Sequence, residues 1–280
     1  MQIGIFEKTF ERDSLEETLD AVRDHGFSCV QFHLDVAGVE PMPEVIPDAL
    51  CERVRNAMGE RGIEMGAVSG TFNMIHPDEE TREDGLKRLE VLAQACGKLG
   101  TKVITLCSGT RSRESMWRSH PDNRTPEAWA DLLVAMERAA QIGEENGVVM
   151  AFEPEVANVV DSAKRGRKVL DEIGSPNLKV VMDGANIYHE GELARMHEML
   201  DEAFDLLGDD IAHAHAKDLD RDGAAGKLAA GTGLLDYDYY LGLLDKVGFD
   251  GPLVLHGLTE DQVPFCRDFL IGKLKDGQTL

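Results

Sequence analysis

The sequence predicts an α/β fold of eight strand–helix units, a (β/α)8 TIM barrel spanning residues 1–280 as a single domain. Three observations carry this expectation. Short apolar runs alternate strictly with helix-like segments, and eight such units over 280 residues suit a barrel whose usual length is about 250 residues. A glycine closes nearly every helix-like segment just ahead of the next apolar run, where the left-handed conformation costs it nothing. The first strand is followed by "GIFEKTFERDS", which lacks the glycine-rich phosphate loop typical of the rival doubly wound sheet.

In chain order the strands are "QIGIF", "SCVQFH", "IEMGAVS", "KVITLC", "VVMAFE", "LKVVMD", "IAHAHA" and "PLVLH". The glycines ahead of the last seven are Gly26, Gly62, Gly100, Gly147, Gly174, Gly208 and Gly248. Helix starts are marked by Ser14-x-x-Glu17 and Thr259-x-x-Gln262, which read as capping boxes. Thr125-Pro126 sets an N-cap before an N1 proline. "DGLKRLEVLAQACGKLG" carries apolar residues at helical spacing. Strict alternation of this kind requires a parallel sheet with helical crossovers.

Composition narrows the function. With 52 acidic and 29 basic residues the formal charge is -23, which repels a phosphate backbone, so nucleic acid is not an expected partner. No run of roughly 18 apolar residues occurs, and "MQIGIFEKTF" has no basic n-region, so neither a membrane span nor a secretory leader is expected. The five cysteines, Cys29, Cys51, Cys96, Cys107 and Cys266, form no CxxC pair. That pattern fits a reducing, cytoplasmic location.

Active sites of such barrels lie at the C-terminal ends of the strands. Alternation there places Glu153 at the end of the fifth strand and Asp183 at the end of the sixth. On the seventh, Ile211, His213, His215 and Lys217 share a face, and His256 ends the eighth. Glu153, Asp183, His215 and His256 thus meet at one rim, and two carboxylates with two imidazoles make a divalent-metal donor set. His213, one step deeper, is expected to be a hydrogen-bonded packing residue. Other rim residues are candidate substrate contacts: Asn73 and His76 after the third strand, Glu155 after the fifth, and Asn186 in "MDGAN". The long loop "CSGTRSRESMWRSHPDN" adds Arg111, Arg113, Trp117, Arg118 and His120. Arginines there suit a carboxylate or phosphate, and Trp117 suits stacking on a sugar ring. Gln31 and His33 end the second strand. "DGAAGKLAAGTG" after the seventh reads either as a phosphate loop or as a mobile one.

The motifs "FEPE", "MDGAN" and "HAHAKD", with the tail "GTG…DY…YLGLLDKVGFDGPLVLH", resemble the sugar phosphate isomerase/epimerase superfamily, the xylose isomerase-like barrels. The middle run "NMIHPDEETREDGLKRLEVLAQACGKLGTKVITL" extends the resemblance over nearly the whole chain. It implies one divalent ion (Mn, Mg, Co or Zn) held at Glu153, Asp183, His215 and the strand-8 position. In the family that last position is a glutamate, paired with the strand-5 glutamate as acid and base on opposite faces of the substrate. Here it is His256, which can bind a metal or carry a proton but not both through one nitrogen.

The resemblance implies a metal-dependent isomerase or epimerase of a sugar or sugar-derived acid, removing a proton next to a carbonyl through an enediolate. Glu153 is the expected base, and His256, Lys217, Glu155 and Glu260 are the candidate acids. The alternatives are a dehydratase or lyase on a keto sugar or inositol derivative, and a non-catalytic binding protein on a degenerate barrel. An apurinic-site endonuclease of the same fold is disfavoured by the charge. The expected partner is a small carbohydrate, and self-association into a homo-oligomer remains open.

Overall fold

In the computed structural model, which describes residues 1–274, the chain closes into a barrel with strand order β1 to β8, every pair parallel. The strands are β1 Gln2–Phe6, β2 Cys29–Phe32, β3 Glu64–Ser69, β4 Val103–Cys107, β5 Val149–Glu153, β6 Leu178–Asp183, β7 Ile211–Ala216 and β8 Pro252–Leu255. The helices between and after them are α1 Leu15–Asp24, α2 Asp48–Gly59, α3 Glu79–Leu99, α4 Pro126–Asn146, α5 Ala163–Ile173, α6 Met196–Leu207, α7 Tyr237–Lys246 and α8 Val263–Lys273. Among the described residues no helix is long and apolar enough to cross a membrane. All five cysteines are free and buried.

The helix starts follow their local chemistry. Ser14 Oγ accepts from the Glu17 backbone N–H at 3.3 Å, and Thr125 caps α4 through Ala128 at 3.2 Å. The Glu17 carboxylate, however, accepts from the Ser14 hydroxyl rather than closing the reciprocal half of the box. Six of the seven inter-element glycines take positive φ; Gly208 does not, with φ -53. It is glycine for a different reason. A Cβ there would lie 2.7 Å from Val247 Cγ1, so close packing of α6 against the chain after α7 selects it.

Two features of β6–β7–β8 set up the site. First, the β6–β7 register shifts at Val180/Val181, so Asp183 faces His215 across the ladder rather than Ala214. A one-residue slip exchanges which side chains share a face, and here it aligns the inward carboxylate with the inward imidazole. Second, the residue after Lys217 turns away from the barrel. The buried Asp218 carboxylate accepts backbone N–H bonds from Leu219 and Leu235 on Oδ1, both 2.9 Å, and from Gly231 and Gly233 on Oδ2 at 3.1 and 2.9 Å. Two amides at the end of the glycine-rich segment, those of Gly231 and Gly233, are thus held by an internal carboxylate, while Ala225, Gly226 and Lys227 line the cavity. A Cβ on Gly233 would meet Leu219 O at 2.3 Å, which is why glycine stands there. Asp218→Ala should leave these amides unpaired and cost roughly 3–5 kcal/mol, read as a lowered midpoint in denaturant unfolding with an unchanged m-value.

Candidate active site

At the C-terminal mouth of the barrel is a cavity of about 460 Å³, a size that suits a small ligand. Its walls include Glu153, Glu155, Asn186, His215, Lys217 and His256, with Trp117 at the rim. Asp183 lies just beneath, wholly buried.

His215 is the best-defined member. Its Nε2 lies 2.9 Å from Gln31 Oε1, while Gln31 Nε2 donates to Thr105 Oγ1 at 3.0 Å. An amide oxygen only accepts, so Nε2 carries a proton and Nδ1 is the nitrogen turned toward the carboxylates. That Nδ1 is buried with no hydrogen-bond partner among the described residues. It faces Glu153 Oε2 at 3.6 Å and Asp183 Oδ2 at 3.8 Å. Two carboxylates around that nitrogen call for positive charge between them, which a metal cation or a proton on Nδ1 supplies. His256 Nε2 approaches the same Asp183 Oδ2 at 3.4 Å. Ligand atoms of Asp183, His215 and His256 all fall within 4.8 Å of one another. The donor set therefore fits a divalent ion, with Glu153 adjacent to that trio.

Lys217 competes for the same oxygen, its Nζ 3.2 Å from Asp183 Oδ2. The remaining oxygen, Oδ1, accepts the Ala185 N–H at 2.8 Å. Burial works to raise the Asp183 pKa, but the Lys217 ammonium and the hydrogen bond from His256 outweigh it and hold the carboxyl well below its usual range. Burial likewise works against the charge on Lys217, yet Asp183, Glu153 and Glu155 together keep its pKa raised. For Glu153 the opposition of burial is overcome by His215, and its carboxyl is lowered. Asn186 Nδ2 donates to Glu153 Oε1 at 2.5 Å, orienting the carboxylate.

Two groups are pushed the other way. Burial, with His215 and Lys217, pushes His256 down to about 4, so at neutral pH it is an uncharged donor. It is also stacked on Phe6, ring centroids 4.5 Å apart and planes 15° from parallel. Burial and the charge of Glu153 push Glu155 up to about 8. Because this folded-state pKa is raised, the associated stabilisation is complete below the unfolded carboxyl range, near about 4.3. It is lost as pH rises through about 8. Glu155→Gln removes the titration. Metal-free protein carrying it should melt with its parent at pH ~5 but above it at pH ~9. Half of the shift is worth about 2 kcal/mol, or roughly 4–8 °C for a chain this size.

The structure separates the other sequence candidates. Asn73 is buried and exchanges bonds with Thr110, Nδ2 to the carbonyl at 2.8 Å and Oδ1 from the N–H at 2.9 Å. His76 Nδ1 accepts from Asp78 N at 3.1 Å in the turn before α3. Arg111 is tied to Asp131 at 2.5 Å and to the Ile75 carbonyl at 3.0 Å. Arg118 pairs with Glu114. His120 caps the turn at Asp122. Of the candidates in that loop only Trp117 lines the cavity. Two of the three arginines, Arg111 and Arg118, are thus engaged by carboxylates on or near the loop.

Glu260 is held by Arg12 at 2.6 Å, outside the cavity wall. His213 packs inside the barrel as expected, but neither ring nitrogen has a hydrogen-bond partner among the described residues. Burial and the neighbouring His215 and His256 push its pKa far below the usual imidazole range. Cavity-lining residues missed from sequence include Phe6, Lys8 and Lys227. Phe6 was readable as the last residue of the first strand, whereas nothing local marks the two lysines.

Residues 19–264 match the family model of the xylose isomerase-like TIM barrel. A ketose 3-epimerase of Arthrobacter globiformis is 23% identical over 257 residues, covering 91% of this chain and 81% of that protein. Among solved structures, a D-tagatose 3-epimerase-like protein superposes with a TM-score of 0.78 at 15% identity, covering 98% of this chain and 97% of the other. The IOLI protein with a bound zinc atom gives 0.73 at 17% identity, with 98% of each chain covered. The matched span takes in seven of the eight strands and every residue of the Glu153, Asp183, His215 and His256 group: the chain belongs to the xylose isomerase-like TIM barrel family.

Proposed function

We propose that the protein is a divalent-metal-dependent sugar epimerase or isomerase that moves a proton on the carbon next to a carbonyl. The observation that carries this reading is the buried, unpartnered Nδ1 of His215 facing two carboxylates at the floor of a sugar-sized cavity. The names of the similar proteins support it: one is a ketose 3-epimerase and another is D-tagatose 3-epimerase-like.

Asp183, His215 and His256 would hold the ion, with Glu153 at its edge. A donor set with two imidazole nitrogens favours zinc, cobalt or manganese over magnesium, which prefers an all-oxygen shell. A bound ion would supply Lewis acidity at the substrate carbonyl and stabilise negative charge developing there. Glu153, ionised and oriented by Asn186, takes the carbon-bound proton. Lys217, fixed by Asp183, presents an ammonium group to substrate oxygens from a water-poor wall. His256, neutral at neutral pH, would serve as a ligand through Nε2 once that nitrogen gives up its bond to Asp183, and not as an acid. Trp117, 56% exposed at the rim, offers an apolar face to the sugar ring.

The test is direct. Protein purified without chelator is assayed for bound metal, then incubated in heavy water with a panel of ketoses. The expected result is about one metal ion per chain, and deuterium incorporation on a carbon next to the carbonyl that chelation abolishes and added zinc, cobalt or manganese restores. Metal-independent exchange, or none with any ketose, would sink the proposal.

A further inference from the structure

The wall of the cavity facing Glu153 carries a second proton-handling unit. Glu7 follows directly on β1 and is wholly buried. Its Oε1 accepts the His33 backbone N–H at 2.7 Å, and its Oε2 lies 3.2 Å from His33 Nδ1. An ionised carboxylate only accepts, so Nδ1–H is the donor. His33 Nε2 is then the nitrogen left for the cavity, whose wall includes His33. Burying a carboxylate is costly unless it is hydrogen-bonded and near positive charge. A brace between β1 and β2 needs only the backbone bond. The second bond, to the ring, fixes the imidazole's orientation and turns Nε2 away from Glu7.

Position matters as much as pairing. His33 follows β2 and Glu153 ends β5. In a closed ring of eight strands the β1–β2 arc lies across from β5–β6. Phe6 stands between His33 and the ligand cluster, its ring 4.9 Å from His33 and 4.5 Å from His256. His256, after β8, is as many strands from β5 as His33 is, but it and Lys217 are both held on Asp183 within the ligand cluster.

We infer that His33, positioned by Glu7, is the acid that returns a proton to the substrate carbon on the face opposite Glu153. The inference rests on the epimerase reading above. It gives this chain a second proton carrier although His256 stands at the strand-8 position. In the forward step the C–H bond breaks, its proton goes to the Glu153 carboxylate, and the electron pair stays on carbon, delocalised into the carbonyl. The Nε2–H of a His33 imidazolium then gives its proton to the other face of that carbon, and a new C–H bond forms. Glu153 is left protonated and His33 neutral, and proton exchange with water resets both. The reverse direction exchanges the two roles.

The test uses the full chain, its metal, and both epimers of a sugar that the wild type interconverts. His33→Asn keeps a donor toward Glu7 but has no Nε2. It should cut interconversion by about 100-fold or more. The epimer whose hydrogen faces Glu153 should still exchange that hydrogen with heavy water, within about tenfold of the wild-type rate, while the other epimer neither exchanges nor converts. Glu7→Gln should show the same split, less strongly. Interconversion within tenfold of wild type in His33→Asn would overturn the assignment. So would an equal loss of exchange from both epimers, which marks a structural role. A wild type that exchanges no carbon-bound hydrogen overturns the epimerase reading and this inference with it, whereas the variant patterns overturn the dyad alone.

Discussion

Glu153→Gln is expected to abolish both interconversion and deuterium exchange, lowering the rate by about 10³-fold or more while leaving the fold intact. Removing a positioned acid–base group typically costs 10²–10⁴-fold, and this residue also borders the metal ligands. The substitution is close to isosteric. The amide oxygen can still accept from Asn186 Nδ2, which now sits 2.5 Å from Glu153 Oε1. What disappears is the carboxylate that takes the proton. Because Glu153 is the leading charge acting against ionisation of Glu155, its loss should also let Glu155 ionise at lower pH. Titration of the variant, followed by thermal melting between pH ~5 and ~9, provides an internal check that the right charge was removed. Exchange that survives in this variant would mean that another group is the base.

Much of this arrangement is legible in the sequence, for a definite reason. Period-two alternation and the rule that barrel sites sit at strand ends are both local, so they place Glu153, Asp183, His215 and His256 at one rim without knowledge of any contact. What is lost is whatever depends on partners far apart in the chain. Gln31 sets the tautomer of His215 across 184 positions. Glu7 seats His33 from the neighbouring strand end. The β6–β7 register shift that aligns Asp183 with His215 leaves no compositional mark. The long loop after β4 shows how local partners compete with a substrate role. Its arginines and histidine looked like substrate groups because of their chemistry, but Asp131, the Ile75 carbonyl and Asp122 satisfy two of them locally. Polar residues in a loop serve the loop first when its own backbone and nearby helix ends offer partners.

Asp183→Asn should have two separable consequences. Metal binding should fall to under about a tenth of a stoichiometric ion, because the only ionised oxygen shared by His215, His256 and Lys217 becomes a neutral amide. The protein should also be destabilised, because Lys217, 6% exposed, loses the partner that counters its desolvation. Leaving one member of a buried pair unmatched costs about 3–5 kcal/mol, lowering the melting temperature by roughly 6–20 °C at this chain length. The sign with pH follows from the depressed pKa of Asp183. Its stabilisation is present above the unfolded carboxyl range, near about 3.9, and is lost as pH falls through the folded value. The gap between parent and variant should therefore be full at pH ~7 and close in acid. Adding Lys217→Met removes the orphaned ammonium and keeps the length of the stem. The double variant should regain most of the lost stability and none of the metal, the non-additivity expected of two residues in contact. Recovery of metal together with stability would show that the ion does not depend on Asp183. No recovery of stability would show that Lys217 and Asp183 do not act as a pair.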